Sequence, residues 1–276
     1  MAIVTLLTDF GLDDWYVAAV KGVILGRAPK CRIVDIGHSV PPQDIETASF
    51  LLEAAAPAFP AGTVHLAVVD PGVGTDRRIL ALARHDAFFL APDNGLLTPF
   101  LGGASQVVAV ERPDLYRSAP ELGSGSTTFH GRDRFAPIAA ALCLGEPLDE
   151  LGPVLRDPVR TTAAPPRRVD GKLEGRIRHV DRFGNLVTDL PSSWLGQLGS
   201  IGTGEGALLA RVGERSTELK VDCYEEIPPG RAAVLVGSLG TLELSLRGQD
   251  LSRAWGVGRG TPITVSPPGP PPRDIG

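Results

Sequence analysis

Thr63-Val64-His65-Leu66-Ala67-Val68-Val69-Asp70-Pro71-Gly72-Val73-Gly74-Thr75-Asp76-Arg77-Arg78 is the stretch whose reading decides the fold. Residues 63–69 are almost continuously apolar, the pattern of a strand covered on both faces in a parallel sheet. Asp70 then falls at the strand's carboxyl end, where ligands bind in open α/β sheets. Pro71 fixes φ, while Gly72 and Gly74 permit positive φ and close backbone approach. One carboxylate and one guanidinium are thereby delivered to one spot. On these residues alone, an ordinary Asp-Pro-Gly turn with a structural ion pair and a ligand-binding corner stand equally open.

Working outward, Ile3 to Leu7 reads as a strand and Tyr16 to about Arg27 as a helix, with Asp9, Asp13 and Asp14 between them. Acids there either complement the helix dipole or accept hydrogen bonds from a ribose diol. A strand at Arg32 to Ile36, the loop Gly37 to Pro42 and a helix from about Asp44 to Ala56 complete a β-α-β-α-β order. That order predicts an α/β domain with a mostly parallel sheet flanked by helices. Ile79 to Ala83 and Ala87 to Leu90 read as further strands, the second ending in Ala91-Pro92-Asp93-Asn94-Gly95. Asp93 or Asn94 contacts a ligand there or simply makes the turn.

Residues 123–137, GSGSTTFHGRDRFAP, form a Gly/Ser loop leading into His130, followed by an Ala-rich helix to about Leu144. The serines lack a G-x-S-x-G elbow and a paired base, which disfavours a serine hydrolase. His130, at a helix start with backbone N–H groups around it, is expected to stay neutral. His65, His85 and His179 read as structural, and His38 is left open.

From Leu151 to Arg168 the composition turns to Pro, Arg, Thr and Ala without helical or strand period. This reads as a linker, dividing the chain into residues 1–165 and 166–276. Beyond it, strands are expected at Gly171 to Val180, Leu186 to Asp189, Ala207 to Val212, Glu218 to Val221, Ala232 to Val236, Thr241 to Leu246 and Pro262 to Val265. Short strands at such spacing indicate a small all-β sandwich or barrel. Its distinctive loop, His179 to Asn185, offers the Phe183 ring beside the Asn185 amide and the Asp181 carboxylate, groups suited to an adenine or to a plain β-turn. The tail from Pro267 is Pro-rich and reads as extended.

With 276 residues, 43% hydrophobic and 21% charged, the chain has ample material for its cores. A net charge of −5 without a Lys/Arg cluster argues against a nucleic-acid partner. No signal peptide and no run long enough for a membrane span is apparent. Cys31, Cys143 and Cys223 lack metal-ligand spacing and read as free thiols of a reducing cytoplasm. Asp9, Asp13, Asp14, Asp70, His130 and Asp133 would suit metal-assisted hydrolysis, but no H-x-x-E-H, H-x-H or C-x-x-C pattern accompanies them.

Taken in order, Thr8 to Gly11 with Asp14 to Tyr16, Val69 to Thr75 with Arg77-Arg78, Ala91 to Leu97, Phe129 to Asp133 and Asp181 to Asn185 resemble one family. It is the S-adenosylmethionine hydrolases, or SAM hydroxide adenosyltransferases, relatives of fluorinase and chlorinase. The resemblance implies cleavage of S-adenosylmethionine by water to adenosine and methionine, with no metal or other cofactor. It also implies an N-terminal α/β domain, an all-β barrel-like C-terminal domain, and a homotrimer with sites between the N-terminal domain of one subunit and the C-terminal domain of its neighbour. The family's Asp-Arg-His triad falls on Asp70, Arg77 and His130. Its ribose acid falls on Asp14 and its adenine and methionine contacts on Asp181, Phe183, Asn185 and Ser238, with Asp9 and Asn94 as further substrate-binding candidates. The halogenases carry a tyrosine in place of Asp70 and lack the histidine, which disfavours halide chemistry. Gln43 and Leu239 stand where the fluorinase has a tryptophan near the sugar and an arginine after the serine. A nucleoside-binding module without turnover is the alternative reading.

Overall fold

A computed structural model describes residues 2–117, 127–198 and 201–267. The loop expected over 123–126 and the tail beyond Pro267 lie outside them. The chain divides into two compact units, Met1–Thr162 and Ala163–Gly276.

The first unit is built on β1 (Ile3–Thr8), β2 (Arg32–Gly37), β3 (Val64–Val68), β4 (Ile79–Arg84), β5 (Ala87–Pro92) and β6 (Gln106–Ala109), in the sheet order β2-β1-β3-β5-β4-β6. β2, β1, β3 and β5 pair in parallel, and β4 runs antiparallel between β5 and β6. The reversal follows from chain length: only His85 and Asp86, both at positive φ, separate β4 from β5. Two residues allow a hairpin but not a crossover.

Side chains alternate between the two faces as strand geometry requires. Val64, Leu66 and Val68 of β3 face the side packed by α1 (Tyr16–Arg27) and α4 (Ala136–Cys143), while Ala67 and Val69 face α2 (Ile45–Ala55) and the one-turn α3 (Thr98–Leu101). Both faces are therefore covered, and β3 is buried throughout. Asp44 caps α2 through its carboxylate, which accepts from Thr47 N. α1 spans the expected residues, but Trp15 is its N-cap, no acid lies in its first turn, and Asp14 is exposed just outside it, so the helix-dipole reading of the acids is not met. The carboxyl ends of β1, β3 and β5 meet at one edge, with Asp9, Asp70, Asp93 and Asn94 following them.

The second unit is antiparallel. β7 (Arg167–Val169), β8 (Lys172–Val180), β9 (Leu186–Pro191), β10 (Leu209–Val212), β11 (Arg215–Thr217), β12 (Ala232–Val236), β13 (Thr241–Leu246) and β14 (Pro262–Ser266) form one sheet with path β11-β10-β14-β8-β9-β13-β12, β7 pairing on β8. In place of the strand expected at 218–221, Leu219–Val221 exchanges backbone hydrogen bonds with Val234 of β12. β11 and this segment join the two ends of the path into a nearly closed barrel, and closure removes the exposed edges. Leu242, Leu244 and Leu246 fill the barrel core, leaving Thr241, Glu243 and Ser245 on the opposite face of β13. The short helix α5 (Leu251–Trp255) follows, capped by Asp250. Among the described residues, no helix is long and apolar enough to cross a membrane.

Candidate active site

Three of the residues singled out in the sequence converge in the first unit. Arg77 Nε donates to both Asp70 oxygens at 2.9 Å, Nη2 donates to Asp70 Oδ2 at 2.5 Å, and Nη2 also lies 2.9 Å from His130 Nδ1. The Asp70 and Arg77 side chains are only 6% and 10% exposed, and His130 is 1% exposed. The Asp70 turn is shaped as its glycines allow: Gly74 has φ +83°, and a Cβ there would stand 2.7 Å from the Thr127 carbonyl oxygen. The guanidinium also lies over the Phe135 ring, 5.1 Å from its centroid.

His130 arrives on a different device. Residues Gly131–Phe135 form a single π-helical turn leading into α4, with Ala136 N donating to Gly131 O. Such turns concentrate at functional sites. Asp133, within the turn, is buried and held by Arg132 through Nε and Nη2 at 2.7 Å each, which makes it a scaffold residue. Phe129 packs against Phe10, Trp15 and Tyr16 with ring centroids 5.1–5.8 Å away.

The protonation state of His130 follows from the geometry. A guanidinium only donates, so Nδ1 must accept and the ring proton sits on Nε2. Burial, reinforced by the Arg134 and Arg77 cations, pushes the imidazole down to about 4. The expectation of a neutral imidazole is met, through desolvation and like charge. Two donors of the group, Arg77 Nη1 and His130 Nε2, are buried with no partner among the described residues. Unpaired buried donors are costly, so they mark where an acceptor belongs.

The other candidates in this unit are engaged in the scaffold. Asp9 accepts from Gln43 N at 2.8 Å, fixing a residue at φ +65°. Asn94 Nδ2 donates to Val69 O at 2.9 Å and its Oδ1 accepts from Leu96 N at 3.2 Å, so its amide buttresses the strand end preceding Asp70. Arg78 turns away to Asp93 and Asp157. His38 joins Thr8 Oγ1 at 2.9 Å and places its carbonyl on Gly11 N at 2.8 Å, which ties the β1 loop to β2. Among the described residues, no group of three His, Cys, Asp or Glu is arranged to hold a metal ion.

The second unit carries a cavity of about 710 Å³ lined by Asp181, Phe183, Asn185, Tyr224 and Ser245, with 246–250 along one side. Asp181 builds its loop: Oδ1 accepts from Phe183 N and Asn185 N, and Oδ2 from Asn185 Nδ2, each at 2.9 Å. Ser245 donates to Asn185 Oδ1 at 2.6 Å. The Asn185 amide, read as a recognition edge, is therefore largely spent inside the loop. What the loop presents is Phe183, 76% exposed at the tip. Gly184 at φ +84° makes this possible, since a Cβ there would collide with the Asp250 carboxylate. Tyr224, 48% exposed, is a second aromatic wall that sequence reasoning missed. Ser238 sits exposed in the turn between β12 and β13 and is not among the residues lining the cavity.

Known proteins match both units. Residues 4–152 match the model for the SAM hydroxide adenosyltransferase N-terminal domain and residues 175–264 that for its C-terminal domain. The chain belongs to the SAM hydroxide adenosyltransferase family. Within this family's wider kin, it is 40% identical over 267 residues to the (R)-S-adenosyl-L-methionine hydrolase of Thermus thermophilus, covering 95% of this chain and 98% of that one. It is 29% identical to a fluorinase of an Actinoplanes species, covering 96% and 97%. Among solved structures, an uncharacterized conserved protein from Thermotoga maritima superposes with a TM-score of 0.88 at 33% identity, covering 95% of this chain and 99% of its own.

Proposed function

We propose that this family member hydrolyses S-adenosyl-L-methionine to adenosine and L-methionine by in-line attack of water on C5′. The observation that carries the proposal is the buried Asp70–Arg77–His130 group with two unpartnered donors. Support for the substrate comes from the named hydrolases at 36–40% identity across nearly the full chain.

The chemistry suits these groups. The sulfonium leaves as a neutral thioether, so no general acid is needed. The C5′–O bond forms as the C5′–S bond breaks, sulfur takes the electron pair, and one water proton passes through Asp70 to solvent. Water is a poor nucleophile, with a pKa near 15.7 in bulk. Arg77 Nη1 and His130 Nε2–H are placed to donate to its oxygen as negative charge develops, while Asp70 draws on its proton. Pre-positioned donors in a dry site are worth far more than in water. Orientation of the attacking oxygen supplies several kcal/mol more, up to roughly 7–11 in intramolecular models.

In this reading Phe183 and Tyr224 receive the adenine and Asp14 takes the ribose diol, while Asp9, Asn94, Asp181 and Asn185 act on the substrate by holding the loops around it through the bonds described above, and Ser238 contacts it from outside the adenine cavity. The chain works as a homotrimer in which neighbouring subunits complete each site, without metal or other cofactor. The test is incubation of the purified chain with S-adenosylmethionine, with and without chelator and halide, and chromatography for adenosine and methionine. Asp70→Ala should lower turnover by about 10²–10⁴-fold, the range for a positioned proton acceptor. Adenosine release by Asp70→Ala at the wild-type rate would overturn the mechanism.

A further inference from the structure

β13 reads Thr-Leu-Glu-Leu-Ser-Leu, a strict alternation that puts leucines in the barrel core and Glu243 and Ser245 on the other face. That polar face is not solvated: Glu243 is 6% and Ser245 3% exposed. Two loops cover it. Asn185 lies over Ser245, and Tyr224 lies over Glu243, its hydroxyl donating to Glu243 Oε1 at 2.7 Å. Each buried polar residue of the strand thus holds a cavity-lining residue from a different loop. Tyr224 opens the one-turn 3-10 helix Tyr224–Glu226, whose N-cap, Cys223, makes no side-chain cap bond. The turn is held by Arg247, which donates to the Glu225 carbonyl at 3.0 Å, and by Asp222 N, which donates to the Glu226 carboxylate, so the bond to Glu243 is what acts on the Tyr224 ring itself.

We infer that Glu243 is a positioning residue of the nucleoside cavity, acting through its hydrogen bond to hold the Tyr224 ring as the wall facing the bound base. The inference rests on the functional reading above, since it assigns that cavity an aromatic base. A carboxylate buried for packing alone would be a poor choice, because burial costs a charge unless it is paired. Burial and the nearby Asp181 charge push the Glu243 carboxyl up, and burial with the Glu243 bond pushes the Tyr224 phenol up. Glu243 does not line the cavity, so its effect on ligand must travel through Tyr224.

The test measures adenosine affinity by calorimetry and KM and kcat for S-adenosylmethionine on the full chain, in wild type, Glu243→Leu, Glu243→Gln, Tyr224→Phe and the Glu243→Leu/Tyr224→Phe double variant. Immobilising a side chain beforehand is worth about two- to tenfold in affinity. Glu243→Leu and Tyr224→Phe should each weaken adenosine binding and raise KM by about that factor, with kcat changed less than twofold. Glu243→Gln, which keeps an acceptor for the phenol, should stay within twofold of wild type, and the double variant should be no worse than either single one. Wild-type affinity in a Glu243→Leu protein that melts normally would overturn the inference, as would effects that multiply in the double variant. Should Glu243→Leu unfold, Tyr224→Phe against Glu243→Gln carries the comparison. If wild type itself neither binds adenosine nor turns over S-adenosylmethionine, it is the functional reading that fails.

Discussion

Acidification is the sharpest probe of the Asp70–Arg77–His130 group, because the geometry specifies both where the His130 proton sits and how hard a second one is to add. Nδ1 accepts from Arg77 Nη2 at 2.9 Å, so the neutral tautomer carries its proton on Nε2. A second proton must enter at Nδ1, break that bond and face a guanidinium. With a folded value of about 4 against an ordinary 6.5, roughly one His130 ring in 300 is charged at pH 6.5, where a free imidazole is half charged. The sign of the linkage is fixed. The unfolded chain takes up the proton near pH 6.5 and the folded chain only near pH 4, so stability present above pH 6.5 is lost as pH falls through 4. The loss amounts to about 3 kcal/mol from this residue. Two-dimensional NMR of the imidazole nitrogens, assigned with His130→Asn, reads tautomer and titration directly. Arg134→Gln should move the titration upward, because Arg134 is the strongest charge opposing protonation. An imidazole that titrates at or above 6.5, or one protonated on Nδ1 at neutrality, would refute the reasoning.

The remaining expectations concern single side chains. Arg77→Lys keeps the charge but loses the fork that bridges a carboxylate and an imidazole, so kcat should fall by about 10²–10³ with KM changed little, as measured by adenosine release. Phe183→Ala should weaken adenosine binding by about 1–3 kcal/mol in calorimetry, while a ring 76% exposed contributes little to the melting temperature. Gly74→Ala puts a Cβ 2.7 Å from the Thr127 carbonyl at φ +83°; it should cost about 1–3 kcal/mol in denaturant unfolding and depress turnover through the displaced Asp70 turn.

Much of this molecule was legible in the sequence where one physical cause dominates. The apolar run 63–69 could only be a strand covered on both sides, and Asp70 then had to sit at its carboxyl end. The break after Leu151 read as a division because it loses all periodicity. Legibility failed where tertiary partners decide. Asn185 looks like a recognition amide in sequence, but Asp181 four residues back and Ser245 sixty residues on consume it. Tyr224 had no signal of its own within Cys-Tyr-Glu-Glu. The alternation of residues 241–246 reads as an ordinary strand with a solvated polar face, and only the folded structure shows that Asn185 and Tyr224 cover it. In the sequence the acids before α1 stand open between helix dipole and ribose diol, and the helix beginning at Tyr16, with no acid in its first turn, leaves the dipole reading without support.

Arg77 and Arg78 show what separates a site from its scaffold when residue type does not. Both are adjacent arginines beside a carboxylate that follows a strand. Every guanidinium nitrogen of Arg78 has a partner: Nε and Nη2 reach Asp93, Nη1 reaches Asp157 Oδ1, and Nη2 also donates to the Asp157 carbonyl. Asp93 in turn accepts from Val159 N, so this network pins the 157–159 segment to β5. Arg77 spends Nε and Nη2 on Asp70 and His130 and keeps Nη1 buried with no partner among the described residues. A fold selected for stability alone would gain by satisfying that nitrogen, as it has at Arg78, since each buried unmet donor costs about 1–3 kcal/mol. On the proposed mechanism, the hydrogen-bonding capacity retained among the described residues by Arg77 Nη1 and His130 Nε2 is what an incoming oxygen nucleophile requires, and it is this surplus, rather than the charge, that would set Arg77 apart from Arg78.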